Sequence, residues 1–472
     1  MSSDRCVLIR IVSSLLVLSL LPSGAVAQFA EATCMQGVEN PEQAPGDGDW
    51  FGYSISSLGD LDGVAGLELA IGAPSDHEAV PEGGLPLAPG AVWIQHLDIN
   101  GMALGATKIT PNQLEIDPLG VTEIDQFGAS VAALGDVNGD GVCDLAVGAL
   151  SHPDGGVARG AVYILFLTTA GTVSSSVKLS SSTLMSLGVP IDDMDAFGSS
   201  LACMGDFDGD GWPDLVVGAM GRESVSGSGE QDGGVFLFPL EGGAGNPNAG
   251  FPKSTWSLID EVDLLALNPV PPNPLQDMYL FGSALCPLGD LDGDGNLDLC
   301  VGVDYDGFVA DDPNTIEDEG VLGFGALYLL LLDGAGGVKA SQKVTSDNVG
   351  GFTELLGNHD VFGASLALMD TGPNTATIAV GAFADHDGGY GGAFWVLDVA
   401  YDGGSGSMGV VAECKYSGTV GTLTCAKLAP SGWFGAGVAS LGDVYPAGMP
   451  DGVIDLAVGE PHRTPVGVQA FR

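Results

Sequence analysis

Apolar and polar residues alternate with a two-residue period in short runs that recur along the chain. One run, ASVAALGD, follows Phe127, and an acidic, glycine-rich loop separates it from a second apolar run, DLAVGA. A period of two is typical of a β-strand, and Gly and Asp clusters at the ends of such runs indicate turns. The stretch from Phe127 to Ala149 therefore predicts two strands joined by the acidic loop.

The stretch is one of six related copies. A third apolar run follows most copies, such as GAVYILFL from Gly160, and then a more polar fourth run, such as SVKLSS around Lys178. Four strands per repeat, without helical crossovers, predict the blade of an all-β propeller. The copies begin at Phe51, Phe127, Phe197, Phe281, Phe362 and Phe434.

The number of copies predicts six four-stranded blades, with a seven-bladed ring as the alternative. The last copy ends at VGVQAFR, which corresponds only to a third strand. The segment between Gln28 and Trp50 has the shape of the fourth-strand segments that precede the other Phe-Gly pairs. Because propellers avoid open sheet edges, we expect this N-terminal strand to close the ring.

The first 27 residues are typical of a secretory signal peptide. Arg5 and Arg10 give a positive start, Ile11–Leu21 is a short apolar core, and AVA precedes Gln28. A membrane anchor is the alternative, but the apolar run is short for a bilayer span. We therefore expect residues 1–27 to be a signal and residues 28–472 to form a propeller that is secreted or extracellular, at the cell surface or in the periplasm.

The charge of the chain limits its partners. It contains 61 acidic residues against 13 Lys and Arg, for a formal net charge of −48. So acidic a protein repels nucleic acid and anionic membranes and attracts cations. We therefore expect no nucleic-acid partner, and because no segment after the signal looks transmembrane, we expect no membrane span.

The acidic loops have the ligand pattern of a Ca²⁺ site. Side-chain oxygens fall at loop positions 1, 3, 5 and 9, position 7 offers its carbonyl, and glycines allow the chain to turn tightly. Several hard oxygen ligands in one loop are what Ca²⁺ requires. The complete loops are Asp136, Asn138, Asp140, Val142 and Asp144; Asp206, Asp208, Asp210, Trp212 and Asp214; and Asp290, Asp292, Asp294, Asn296 and Asp298.

These loops have two other interpretations. An EF-hand needs a glutamate at position 12 and a following helix, whereas Val147, Val217 or Val301 stands there and a strand follows. A single loop could also be a metal-free Asp/Gly turn. Three matching loops favour Ca²⁺ over both alternatives.

The remaining copies are weaker metal-site candidates. The first copy keeps Asp60, Asp62 and Glu68 but has Val64 at position 5. The fifth copy keeps only an aspartate and an asparagine in a shorter loop. The sixth has Asp443, Asp451 and Asp455 around an insertion, which predicts at most a distorted site.

With Phe-Gly at the start, D-x-[DN]-x-D-G-x-x-D in the loop and VGA after it, the repeats resemble the FG-GAP repeats of integrin α-subunit propellers. DGGVARGAVYILFLTTAGTV from Asp154 and GGVKASQKVTSDNVGGFTELL from Gly336 are similar to bacterial secreted FG-GAP repeat proteins. The resemblance covers essentially the whole chain after the signal. It implies Ca²⁺ on one face of a ring and ligand binding on the opposite face. The chain departs from integrins in its three intact sites and six expected blades, and no inserted, leg or membrane segment follows the repeats.

These patterns favour an adhesion or ligand-binding module that recognises an extracellular protein or glycan. The alternative is an extracellular enzyme or a structural surface component that uses the propeller as a scaffold. The chain contains no G-x-S-x-G and no H-E-x-x-H motif, and acidic pairs carry little information in so acidic a chain. We therefore expect no enzymatic activity.

Cysteines and histidines give two minor hypotheses. Cys414 and Cys425 flank a short Gly-containing turn, and an exported chain favours a disulfide between them.

Four histidines follow the VG of the second strand, on the face expected to lie opposite the Ca²⁺ loops. They are either repeated polar loop residues or part of a ligand face: His77, His152, His386 and His462.

Overall fold

Four-stranded antiparallel sheets contain all the strands of the described residues. The coordinates are a computed structural model. The structure describes residues 6–12, 15–21, 48–77, 89–98, 103–111, 125–223, 231–267, 280–304, 323–346, 350–354, 356–357, 360–385, 391–417, 433–442 and 454–461.

The two-residue period correctly predicts strands, and within each complete blade the four strands lie side by side in chain order. The strands are β1 (Cys6–Val12), β2 (Leu15–Leu21), β3 (Ser54–Gly59), β4 (Gly66–Ala73), β5 (Ala91–Asp98), β6 (Ala103–Ile109), β7 (Phe127–Gly135), β8 (Asp144–Ala149), β9 (Ala161–Leu167), β10 (Val173–Ser180), β11 (Phe197–Gly205), β12 (Asp214–Ala219), β13 (Gly234–Phe238), β14 (Ser257–Asp260), β15 (Phe281–Gly289), β16 (Asp298–Val303), β17 (Ala326–Leu332), β18 (Val338–Val344), β19 (Ser365–Gly372), β20 (Thr375–Ala382), β21 (Ala393–Asp402), β22 (Ser407–Ser417), β23 (Val438–Gly442) and β24 (Asp455–Gly459).

Strands β3–β6, β7–β10, β11–β14, β15–β18 and β19–β22 form five complete blades, numbered 1 to 5 in chain order. The all-β propeller of four-stranded blades is thus confirmed. Two short α-helices lie among the described residues, α1 (Ser181–Leu184) after β10 and α2 (Glu261–Leu267) after β14, and a 3-10 turn (Met185–Leu187) follows α1. Neither has the length that a helix needs to cross a bilayer.

The prediction of six blades, with seven as the alternative, is corrected to five complete blades. The sixth repeat contributes only β23 and β24 among the described residues, and β2 and β1 continue its sheet in the order β23, β24, β2, β1. A two-stranded sheet leaves an unpaired edge, and here strands from residues 6–21 pair with it. Most of the N-terminal strand expected to close the ring, and the end of the sixth repeat, lie outside the described residues. Closure by that strand stays a prediction.

The first strands of the repeats surround the centre of the molecule. Strands β3, β7, β11, β15, β19 and β23 each contact the next in this order, and β23 contacts β3. Every first strand runs from its Phe-Gly end toward the following loop. The acidic loops therefore lie at one end of these strands and the Phe-Gly pairs at the other.

The Phe-Gly pair joins each repeat to the blade before it. Phe197, the first residue of blade 3, is fully buried; it packs edge-on against Phe236 and Phe238 of its own blade, with ring centroids 5.6 and 6.0 Å away, and its backbone pairs with Gly160 of the preceding blade. Ser130 of the preceding blade donates its hydroxyl to the Gly198 carbonyl at 2.7 Å. A Cβ at Gly148 would lie 2.0 Å from that same carbonyl oxygen, so only glycine fits there. The hydroxyl bond recurs from Ser54 to Gly128, from Ser200 to Gly282 and from Ser365 to Gly435.

Candidate functional site

The acidic loops of the third and fourth repeats bring three carboxylates together. Each loop joins the first strand of its blade to the second, where glycines with positive φ, such as Gly209 and Gly211, let the chain turn. The carboxylate oxygens at positions 1, 3 and 5 lie within 4.8 Å of one another: Asp206, Asp208 and Asp210 in one loop and Asp290, Asp292 and Asp294 in the other. Oxygens bound to one Ca²⁺ at 2.3–2.6 Å can be at most about 5 Å apart, so both clusters fit a divalent cation.

A lysine from the same blade reaches into each of these two clusters. Lys253 places its Nζ 2.5 Å from Asp208 Oδ2 and 2.6 Å from Asp210 Oδ2. Lys339 lies 2.9 Å from Asp292 Oδ2 and also contacts Asp294. Its hydrogen bond lowers the pKa of Asp294 to about 2. An ammonium group therefore supplies the positive charge that these carboxylates require.

The loop of the second repeat is built differently, because position 3 is an amide. Asn138 donates its Nδ2 to Asp140 Oδ2 at 3.1 Å, and Asp136 Oδ1 accepts the backbone N–H of Gly139 at 2.7 Å. Its position-1 and position-5 residues are Asp136 and Asp140, and a metal contact through the Val142 carbonyl at position 7 stays a prediction. No lysine bonds to these carboxylates among the contacts of the described residues. This loop therefore carries less negative charge than the other two.

The position-9 aspartate of each complete loop is buried and ties the loop to the blade. Asp144 accepts the N–H of Val137 at 3.0 Å on Oδ2 and that of Leu167 at 3.2 Å on Oδ1. Asp214 and Asp298 make the corresponding bonds to the second loop residue and to the end of the third strand. Burial raises the pKa of Asp144 to about 7 and that of Asp214 and Asp298 to about 6. Burial thus penalises the charge of these carboxylates, a cost that a nearby cation would offset.

The first repeat holds a third cluster, which includes a residue that the sequence did not indicate. Asp62 and Glu68 lie beside His96 of β5, with one ligand atom of each within 4.8 Å of the others. Asp60 instead accepts the N–H of Gly63 at 2.7 Å. His96 follows Glu68 by 28 residues, and no motif links the two positions.

The fifth and sixth loops show no three-carboxylate cluster among the residues that the structure describes. Asn374 donates its side-chain amide to the Leu291 carbonyl of the neighbouring blade at 3.1 Å, so it joins blades. Asp455 is buried at the start of β24. Asp443 and Asp451 lie outside the described residues, so the distorted sixth site stays a prediction.

The predicted histidine face is described only in part. His77 is 47% exposed, and its Nδ1 lies 3.5 Å from Asp49 Oδ1. His152 is buried, with its Nε2 2.9 Å from Lys178 Nζ, which does not favour direct contact with a partner. His386 and His462 lie outside the described residues. Cys414 is exposed on β22, and its predicted disulfide partner Cys425 is outside them as well.

A cavity of about 340 Å³ opens at the end of the first strands opposite the acidic loops. Its walls are residues near the starts of all six first strands, including Ser130, Ser200 and Ser365, together with Asp304 just after β16. Asp304 Oδ1 is buried and has no hydrogen-bond partner among the described residues. Burial raises the pKa of this carboxyl to about 6. A buried carboxyl whose contact with Ser283 only partly offsets its burial favours a ligand that brings a further hydrogen-bond donor or a positive charge.

Comparisons with known proteins identify the repeats. The family model of the FG-GAP repeat matches residues 127–165 and 197–238. The chain is similar to Integrin alpha-PS2 of Drosophila melanogaster, with 34% identity over 180 residues, or 38% of this chain and 12% of that protein. Integrin alpha-5 of Xenopus laevis is 36% identical over 177 residues, or 37% of this chain and 15% of that protein. Human Integrin alpha-IIb is 32% identical over 177 residues, or 38% and 15%.

The matches thus involve little more than a third of this chain and at most 15% of the length of these relatives. They support an integrin α-like FG-GAP propeller. The activities of the full-length integrin α chains do not follow from a match of this extent.

Proposed function

With FG-GAP repeats in an all-β propeller as the premise, we propose that this protein is a secreted, calcium-binding adhesion or ligand-binding module. The observation that carries the proposal is the convergence of three carboxylates in each of two loops. Ca²⁺ would be held there by Asp206, Asp208 and Asp210 and by the equivalent residues of the fourth repeat, with the position-7 carbonyl and position-9 aspartate completing each site. Because protein groups fill the ligand positions, the ion would stabilise the turn and take no part in a reaction.

The partner-binding surface is the face opposite the Ca²⁺ loops. It surrounds the cavity, where serine hydroxyls from several blades and the Asp304 carboxylate converge. Polar groups converging in a concave site are typical of ligand recognition. Secretion is supported by the signal-like N-terminus; its cleavage would remove β1 and β2 from the sixth sheet and leave the edge of β24 to the strand predicted between residues 28 and 50. An extracellular protein or glycan fits an exported chain. The similarity to integrin α chains favours recognition over catalysis.

The binding function can be tested on a panel of extracellular proteins and glycans, by surface plasmon resonance with Ca²⁺ present. We expect Asp304→Asn to weaken the binding of a positive panel member by about tenfold, because the charged acceptor is lost from a desolvated site. Asp402→Asn is the matched control. It makes the same charge change at an exposed position on the end of β21, on the side of the acidic loops.

Two results would count against this proposal. Absence of binding across the panel at saturating Ca²⁺ would contradict the adhesion function. Equal losses of affinity in Asp304→Asn and Asp402→Asn would contradict the assignment of the binding face.

The lysines give a second prediction for the Ca²⁺ loops. Lys253→Met should bind Ca²⁺ about fivefold more tightly at the third-repeat loop, because the ion no longer displaces an ammonium whose ion pair is worth about 1 kcal/mol. Calorimetric Ca²⁺ titration measures the change. Lys178→Met is the control, since Lys178 contacts His152 rather than an acidic loop. Weaker Ca²⁺ binding in Lys253→Met would show that the lysine assists the site rather than competing for it.

A further inference from the structure

The acidic loop of blade 1 lacks one of the oxygen ligands that the complete Ca²⁺ loops have. Position 5, an aspartate in the complete loops, is Val64, whose apolar side chain is 58% exposed. Asp60 and Asp62 each have one oxygen bonded to a backbone N–H of the loop itself. With position 5 apolar, this loop has one carboxylate fewer than those of the third and fourth repeats.

Glutamate at position 9 changes what the buried carboxylate can reach. In blades 2 to 4 the aspartate at this position bonds backbone N–H groups through both oxygens. Glu68 is 2% exposed and bonds the Leu61 N–H through Oε2 at 2.6 Å. Its additional methylene carries Oε1 beyond the backbone donors, to a point 3.1 Å from His96 Nδ1. One carboxylate oxygen thus faces an imidazole instead of a backbone amide.

The third member of the cluster is Asp62 Oδ2, which lies 3.8 Å from His96 Nδ1. In a tetrahedral zinc site with bonds of 2.0–2.2 Å, ligand atoms are separated by about 3.3–3.6 Å. The separations of 3.1 and 3.8 Å bracket this value, and the Asp62 and Glu68 oxygens lie within 4.8 Å of each other, so one ion could contact all three groups after side-chain shifts. One imidazole nitrogen with two carboxylates is a donor set for zinc-class metals, whereas Ca²⁺ takes oxygen ligands.

We propose that blade 1 binds a transition-metal ion of the zinc class through Asp62, Glu68 and His96. A fourth position is left for water or a ligand from another molecule. This site is independent of the proposed Ca²⁺ loops, because its residues belong to a different blade and its donor set selects a different metal. The competing explanation is a plain His96–Glu68 ion pair, similar to the lysine contacts in blades 3 and 4.

Co²⁺ titration separates the two explanations, because tetrahedral Co²⁺ gives intense visible absorption. The full chain is first saturated with Ca²⁺, then titrated with Co²⁺, and the bound Co²⁺ is displaced with Zn²⁺. We expect one equivalent of Co²⁺ with a tetrahedral spectrum. In His96→Gln its affinity should fall by at least about tenfold, the lower end of losses for groups that support a metal site. The control His77→Gln changes a histidine outside the cluster and should keep wild-type binding.

Asp62→Asn provides a second variant. Its side chain is 29% exposed and it retains an oxygen for the Val64 N–H, so the fold is preserved while a charged ligand is lost. It should also weaken Co²⁺ binding. The proposal is overturned if wild type binds no Co²⁺ at micromolar concentrations, or if both variants bind Co²⁺ as wild type does. Ca²⁺ stoichiometry is measured on the same samples, so failure of this site is distinguishable from failure of the Ca²⁺ loops.

Discussion

Chelation of Ca²⁺ is expected to lower the melting temperature by on the order of 5 °C for each occupied loop. A site at a hundredfold excess of ligand over Kd stabilises the native state by about 2.7 kcal/mol, and 1 kcal/mol shifts the melting temperature of a large domain by about 2 °C. The third- and fourth-repeat loops have lysines that replace part of the lost positive charge. We therefore expect a clear shift without complete unfolding.

The double variant Asp208→Ala/Asp210→Ala tests whether the acidic loops cause that shift. It leaves too few oxygens for Ca²⁺ in the third repeat. The difference in melting temperature between calcium and chelator should therefore decrease by the contribution of one site. Asp402→Ala is the control, since it removes an exposed carboxylate outside these loops and should leave the difference unchanged. Identical wild-type melting curves in calcium and in chelator would mean that the loops are metal-free turns.

Phe197→Ala is expected to reduce the free energy of unfolding by about 3–5 kcal/mol, the usual cost of deleting a buried aromatic ring. Phe197 is fully buried where blades 2 and 3 meet, and it packs against Phe236, Phe238 and residues of β9. The variant leaves a cavity that the neighbouring strands cannot fill without separating from their hydrogen-bond partners. Denaturant unfolding followed by fluorescence measures the loss.

Met185→Ala is the control for this variant, because Met185 is 72% exposed and its truncation should cost less than about 0.5 kcal/mol. If Phe197→Ala and Met185→Ala unfold at the same denaturant concentration, the Phe-Gly contact does not hold the blades together. The result would then contradict the role assigned to the repeat motif.

The repeat pattern predicted the fold where local alternation decides the structure. The third and fourth strands of blade 2 were indicated by GAVYILFL and SVKLSS, and they are β9 and β10. The blade count was not predicted correctly, because the sixth copy contributes only its first and second strands among the described residues. Whether a repeat completes four strands depends on which distant segment pairs with its edge, as β2 does with β24.

The sequence pattern identified the site residues that lie together in one loop. It did not identify those that a distant segment of the same blade contributes. Lys253 lies 45 residues beyond Asp208, and His96 lies 28 residues beyond Glu68. His96 is the cross-strand partner of Glu68 in the β4–β5 pair, and Lys253 lies in the connection between β13 and β14, so neither position follows from any spacing along the chain. A lysine in a polar fourth strand otherwise indicates only solvent exposure.

The sequence by itself determined the repeat unit, its strands and the carboxylates of each acidic loop, because these depend on neighbours within about ten residues. Only the tertiary structure decided which loops receive a basic side chain, which aspartates are buried, and that Asp304 lies in a cavity lined by all six first strands. These properties depend on packing between strands and blades. Burial then changes the pKa of carboxyls that are chemically identical in the sequence, raising that of Asp298 while a lysine lowers that of Asp294 four residues earlier.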